Sequence, residues 1–172
     1  MGMRKVLVIG SGGAGKSTFA RHLGELLELE VIHLDSLYWS AGWVEMPKTE
    51  WQSVVDELLS RRAWIIDGNY SGTLQMRLEA CDTVIFLDMS RVICLGRLLK
   101  RVVLYRAERR PDMAEGCREK LNFKFIRWVW EYPERTRPKI IELLEKSARN
   151  KQIICLRSRA EVKRFLVSAR AA

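Results

Sequence analysis

Short apolar runs rich in β-branched residues alternate along this chain with longer stretches whose apolar residues recur every three or four positions. Runs of the first kind read as buried strands and stretches of the second kind as amphipathic helices. The pattern predicts five strands, at about 5–9, 30–34, 63–66, 83–87 and 152–156. The first helix is expected at about 16–28, where Phe19, Leu23, Leu26 and Leu27 cover one face. Further helices are expected from 47 or 49 to 61, near 73–80, from 90 to 104, through the aromatic stretch LNFKFIRWVWEY, from 133 or 137 to 149, and up to about 169. DSLYWSAGWVEMP, beginning at Asp35, reads as a loop. Thr49 with Gln52, and Ser158 with Glu161, have the spacing of capping boxes. Strands alternating with helices give an α/β fold, a parallel sheet covered on both faces, and 172 residues suit a single domain spanning 1–172.

Ligands on such a sheet collect beyond the carboxyl ends of the strands. The first strand ends in GSGGAGKS, Gly10 to Ser17, which matches G-x-x-x-x-G-K-[ST] and is followed by Thr18. Gly10, Gly12, Gly13 and Gly15, with Ser11 and Ala14 between them, let the backbone wrap an anion so that successive N–H groups point at phosphate oxygens. The helix that follows adds its N-terminal dipole. In this pattern Lys16 reaches the β- and γ-phosphates of ATP, and the Ser17 hydroxyl ligates Mg²⁺. Three other strand ends carry an aspartate: VIHLD with Asp35, WIID with Asp67 and VIFLD with Asp88. Asp88 is followed at once by a helix, which makes it a capping residue.

Charge narrows the choice of partner. Residues 91 to 139 hold 14 Lys or Arg against 6 Asp or Glu, net +8 of the chain's +9. A local excess of that size points to a polyanion, either nucleotide phosphates beneath a closing lid or a nucleic-acid backbone. Cys81, Cys94, Cys117 and Cys155 lack C-x-x-C spacing and read as reduced, mostly buried thiols, and His22 and His33 as packing residues. Neither a secretory leader nor a membrane span is expected, which makes the cytoplasm the expected compartment.

The phosphate loop, the DGN after the third strand and the RLLKR helix after the fourth resemble the adenylate kinase-like family of small P-loop kinases. Glu131-Tyr132 followed by Thr136, Pro138 and Ile140 is similar to that family's helix after the lid. VIHLDSLYW, GW, WIIDGNY, RPDMAEGC and LRS resemble, more closely, sequence blocks of the bacterial DNA topology modulation proteins. The resemblance implies a three-layer P-loop fold with strand order 2-3-1-4-5, a short helical lid at 105–130 and an acceptor-binding subregion at 36–62. It also implies transfer of the ATP γ-phosphate to a small acceptor, a nucleotide, nucleoside or other metabolite. The DNA topology modulation likeness implies instead an ATP-binding regulator that associates with DNA or RNA.

Carried onto this chain, the family pattern makes Asp67 a Walker B-type carboxylate for Mg²⁺, with an Asx turn at Gly68 as the alternative. Asp35 either orients and deprotonates the acceptor hydroxyl or caps the turn that follows. Arg97 would lie by the nucleotide and Arg101 on the transferring phosphate, both on one face of a helix. Arg106, Arg109 and Arg110 would close over ATP, with Arg127, Arg135 and Arg137 as further cations from the far side of the lid. Tyr38, Trp39 and Trp43 either stack on the acceptor or seal its element against the core. Arg157, after the fifth strand, would meet the adenine through its backbone. Phe123, Ile126 and Trp130 have helical spacing and read as core beneath the lid.

Overall fold

The computed structural model describes residues 2–104, 113–117, 122–148 and 151–170. The order of elements is β1 (Lys5–Gly10), α1 (Lys16–Leu27), β2 (Val31–His33), α2 (Leu34–Tyr38), β3 (Trp39–Ser40), β4 (Val44–Glu45), α3 (Lys48–Ser60) and β5 (Trp64–Asp67). There follow α4 (Ser71–Ala80), β6 (Thr83–Leu87), α5 (Arg91–Leu104), α6 (Phe123–Arg135), α7 (Arg137–Ser147), β7 (Gln152–Leu156) and α8 (Arg159–Arg170).

β2, β5, β1, β6 and β7 lie side by side in that order and pair in parallel. This is the 2-3-1-4-5 order expected for the five predicted strands. Successive side chains of a strand point to opposite faces, and the core divides accordingly. Leu7, Ile9, Trp64, Ile66, Val84 and Phe86 pack with α3, α4 and α7 on one face. Val6, Val8, Ile65, Ile85 and Leu87 pack with α1, α5 and α8 on the other. Helix α6 serves both, sending Tyr132 to the first face and Val129 to the second.

Several local expectations are corrected. β2 stops at His33, and Asp35 lies in the five-residue helix α2, not at a strand end. The segment read as a loop is that helix followed by an antiparallel ribbon, β3 with β4. α3 starts at Lys48 after Pro47, so Thr49 lies inside the helix and forms no capping box. At Ser158 the capping half of the box forms, Glu161 N donating to Ser158 Oγ, while the Glu161 carboxylate reaches one residue further back and accepts from Arg157 N. Phe123 and Trp130 are exposed, at 76% and 51%, because α6 turns Phe125, Val129 and Tyr132 inward instead. Among the described residues no helix is long and apolar enough to cross a membrane.

Candidate active site

Residues 10–18 connect β1 to α1 and wrap as the motif requires. Gly13 and Gly15 have φ values of +77° and +96°, the left-handed region that a side chain disfavours. A Cβ on Gly13 would run into the carbonyl oxygen of Cys94, so the loop rests on α5. A Cβ on Gly12 would come within 2.5 Å of Phe125 Cζ and 3.1 Å of Val129 Cγ2, so α6 closes on the loop from another side. Ser11 and Ala14 are buried, Ser17 is half-buried and Thr18 is exposed in the first turn of α1.

Lys16 Nζ donates to the carbonyls of Gly10 at 3.0 Å and Ser11 at 3.1 Å. Burial pulls its ammonium below the ordinary lysine range; the carboxylates of Asp67 and Asp35 oppose that shift, and the guanidinium of Arg101 adds to it. The charges that act on Lys16 thus come from three other elements, Asp35 of α2, Asp67 of β5 and Arg101 of α5. Arg97, one turn before Arg101, points its Nη1 at the Gly13 and Ala14 carbonyls of the same loop. Burial lowers the Arg97 pKa, and the neighbouring Arg159 lowers it further.

Asp67, at the end of β5, is buried, and its Oδ2 lies 2.8 Å from His33 Nδ1. The N–H of Gly68, the next residue, donates to the Val8 carbonyl at 3.2 Å. His33 is thus not a mere packing residue: its ring meets the carboxylate that the family resemblance implies for Mg²⁺. The next two residues tie the remaining parts together. Asn69 Oδ1 accepts from Gly10 N at 3.1 Å, and the Tyr70 hydroxyl donates to Asp35 Oδ1 at 2.7 Å. Asp35 therefore accepts from Tyr70 with its carboxylate. Burial, then Asp35, raises the Tyr70 pKa, while a side-chain bond from Trp39 opposes the rise.

Arg77 of α4, fully buried, fastens this tetrapeptide. It donates to the carbonyls of Gly68 at 2.7 Å, Tyr70 at 2.9 Å and Thr73 at 3.3 Å, and to that of Asn69. Burial pushes its pKa down to about 9. Around Asp35 and Tyr70 stands an aromatic cluster. Tyr38 lies 4.7 Å from Tyr70, 5.1 Å from Trp39 and 5.1 Å from Trp51 between ring centroids, and Trp39 lies 5.5 Å from Trp43.

Other predicted residues lie elsewhere. Asp88 caps no helix: it accepts both arms of Arg137 at 2.7 and 2.8 Å, while Ser90 Oγ takes the first-turn N–H of α5. Arg157 Nε lies 3.6 Å from Asp88, so its side chain belongs to that ion cluster. Arg127 and Arg135 both pair with Glu131, and Arg91 pairs with Glu134 and covers the Trp130 ring. In the described part of 91–139, Arg91, Arg127, Arg135 and Arg137 are paired with acids, and Arg97 is turned towards the phosphate loop. Arg106, Arg109 and Arg110 lie outside the described residues. Sequence reasoning missed Asn69, Tyr70 and Arg77 as site-building residues. A signal for Arg77 existed, since it shares helical spacing with the buried Leu74 and Leu78.

Over 151 residues the chain is 30% identical to a shikimate kinase from Psychromonas ingrahamii, a match spanning 77% of this chain and 87% of that enzyme. The chain belongs to the shikimate kinase-like family of P-loop kinases. This P-loop kinase superposes on the shikimate kinase of Acinetobacter baumannii, solved in complex with shikimate, with a TM-score of 0.57 at 17% identity. That superposition covers 96% of this chain and 90% of the other. A gluconokinase from Sinorhizobium meliloti 1021 gives a TM-score of 0.56 at 14% identity, covering 98% and 91%. At these identities the likeness bears on the fold alone. No family model matches the chain. The P-loop kinase expectation is thereby borne out, with shikimate kinase-like as the family and adenylate kinase-like as a coarser likeness. The likeness to DNA topology modulation proteins stays a matter of the sequence blocks.

Proposed function

We propose that this small-molecule kinase transfers the γ-phosphoryl group of ATP to a hydroxyl of a small acceptor bound between Asp35 and the phosphate loop. The observation that carries this reading is the joining of the phosphate loop to the acceptor side: Lys16 Nζ lies on the Gly10 and Ser11 carbonyls, Gly10 N donates to Asn69 Oδ1, and the next residue, Tyr70, donates to Asp35 Oδ1. The loop N–H groups and Lys16 would hold the phosphates, Arg97 would support the loop beside the nucleotide, and Arg101 would meet charge developing on the transferred group. The bond from the γ-phosphorus to the bridging oxygen breaks, the acceptor oxygen takes the phosphoryl group, and Asp35 accepts the proton that oxygen gives up.

Mg²⁺ fits the donor set. Ser17 and Asp67 offer hard oxygen ligands, and Mg²⁺ is held by one or two such oxygens together with phosphates and water. When bound it would offset the charge of the phosphates as a Lewis acid. Among the described residues there is no cluster of three or more acidic, His or Cys side chains that would hold an ion without nucleotide. Residues 36–62 serve in this reading as the acceptor-binding subregion, residues 105–130, with Arg106 and Arg110, as the lid, and 1–172 as one domain.

Coupled ADP-release assays over nucleosides, nucleotides and small hydroxyl compounds test the proposal. An acceptor that raises turnover well above the slow reaction with water is the expected result. Tight ATP binding with no acceptor-dependent turnover would overturn it.

A further inference from the structure

Beyond the end of β5 the chain leaves the sheet, and the partners of β1 change with it. Gly68 N donates to the Val8 carbonyl at 3.2 Å, as a parallel ladder requires, and the next bond of that ladder would run from Gly10 N to the Gly68 carbonyl. Arg77 Nη1 takes that carbonyl at 2.7 Å, and Gly10 N donates at 3.1 Å to the side chain of Asn69 instead. A backbone N–H can only donate, so it is the amide oxygen of Asn69 that sits on Gly10, and the amide nitrogen is left for another partner. It has none among the described residues. Asn69 is half-buried, and its Nδ2 is not one of the buried polar atoms left without a partner, so this donor is open to solvent at the carboxyl ends of β1 and β5.

The neighbours of this donor identify what it would meet. Lys16 Nζ lies 3.0 Å from the carbonyl of the same Gly10, and in the phosphate-loop pattern that ammonium reaches the β- and γ-phosphates. Tyr70, the next residue, holds Asp35 at 2.7 Å on the proposed acceptor side. Two consecutive residues thus serve the two sides of the transfer, and the group that passes between those sides is the γ-phosphoryl. Arg77 grips the carbonyls of both, which fixes the pair before any ligand binds. We propose that Asn69 binds the γ-phosphate: its Nδ2 donates to an oxygen of the γ-phosphoryl group, and through that bond the protein tells ATP from ADP. A neutral donor set in place beforehand stabilises charge on the transferred group without rearranging. This role rests on the kinase reading above and adds to it a residue from outside the phosphate loop.

The test is calorimetric binding of ADP and of a nonhydrolysable ATP analogue, at fixed Mg²⁺, to the full chain and to two variants. Asn69→Asp keeps an oxygen for Gly10 N and puts an anionic oxygen where the amide nitrogen was; Asn69→Ala removes both groups. Asn69→Asp should bind the analogue at least tenfold more weakly than the wild type and ADP within twofold of it. Asn69→Ala, which adds no charge, should lose at least threefold more affinity for the analogue than for ADP, a difference that repulsion by a new carboxylate would not produce. A residue that only closes the end of the β1–β5 ladder would behave otherwise: Asn69→Asp would match the wild type with both nucleotides, and Asn69→Ala would weaken both equally. Equal effects on ADP and the analogue in Asn69→Ala would therefore overturn the inference. None of these titrations contains an acceptor, so the kinase reading stands or falls separately, on acceptor-dependent ADP release.

Discussion

The Tyr70 hydroxyl donates to Asp35 Oδ1 over 2.7 Å, from a residue whose own carbonyl is gripped by the buried Arg77. The carboxylate proposed to face the acceptor is therefore held by the loop that follows Asp67. Removing the donor while keeping the ring costs one charge-assisted hydrogen bond, about 1.5–3 kcal/mol. Tyr70→Phe should lower kcat roughly tenfold or more, because each 1.4 kcal/mol of transition-state energy is about a factor of ten. The KM for ATP should hold, since the phosphate loop is untouched. Steady-state kinetics with both substrates varied separates the two effects, and a change in ATP KM alone would contradict the assignment.

Arg77 makes a second, structural prediction. Its guanidinium serves the carbonyls of residues 68, 69, 70 and 73 from a fully buried position. Arg77→Met fills similar space and leaves those acceptors without their donor. Leaving a buried acceptor without its donor costs about 1–3 kcal/mol. The urea midpoint of the apoprotein should drop accordingly, and an unchanged midpoint would mean that the clamp contributes nothing.

The parts of the molecule legible in the sequence were those in which one local rule decides. The strands 83–87 and 152–156 are bounded as the apolar runs predicted, and the loop at 10–18 follows from its glycines, lysine and hydroxyl. The aromatic helix defeated the same reasoning, because Phe123, Ile126 and Trp130 satisfy a helical period as well as Phe125, Val129 and Tyr132 do. Only the position of the phosphate loop, against which Phe125 and Val129 pack, chooses between the two faces. The local sequence makes Asp88 a cap because its partner Arg137 stands 49 residues away, beyond any local pattern. The His33–Asp67 contact has the same character, since β2 and β5 are neighbours only in the sheet.

Lys16 gives a pH prediction. Burial sets its ammonium below the usual lysine range, so the free protein releases this proton at a lower pH than an exposed lysine would. ATP binds the protonated form, and above the lowered pKa binding must also take up a proton. Affinity for ATP should therefore fall with rising pH, starting below the ordinary lysine range near 10.5. The stability of the apoprotein moves the other way. Between the lowered folded pKa and the unfolded one, the unfolded chain holds more protons, so unfolding free energy rises with pH across that window. Calorimetric titration of ATP at several pH values checks the first sign, and Lys16→Arg, which stays charged throughout, should flatten the decline.

Gly12 lies where the phosphate loop and α6 meet. Gly12→Ala puts a methyl 2.5 Å from Phe125 Cζ and 3.1 Å from Val129 Cγ2, so either the loop or the helix must move. ATP affinity should weaken, and Phe125→Ala in the same chain should restore part of it by removing the obstructing ring. The double-mutant cycle measures that coupling directly. Equal losses in the single and the double variant would show that the methyl acts through something other than Phe125.

His33 joins the metal side of the site to β2. Its Nδ1 sits 2.8 Å from Asp67 Oδ2, so the imidazole fixes the orientation of the carboxylate that, with Ser17, would hold Mg²⁺. An outer partner of this sort typically changes metal affinity by about 10- to 100-fold when removed. His33→Ala should raise the Mg²⁺ concentration needed for half-maximal binding of a nonhydrolysable ATP analogue by about tenfold. Binding of the analogue without Mg²⁺ should stay the same, because the effect runs through the Asp67 carboxylate. His33→Asn, whose amide can still reach a carboxylate, should fall between the two. Superimposable Mg²⁺ titrations of the wild type and His33→Ala would mean that Asp67 keeps its aim unaided, and that the contact serves only to join β2 to β5.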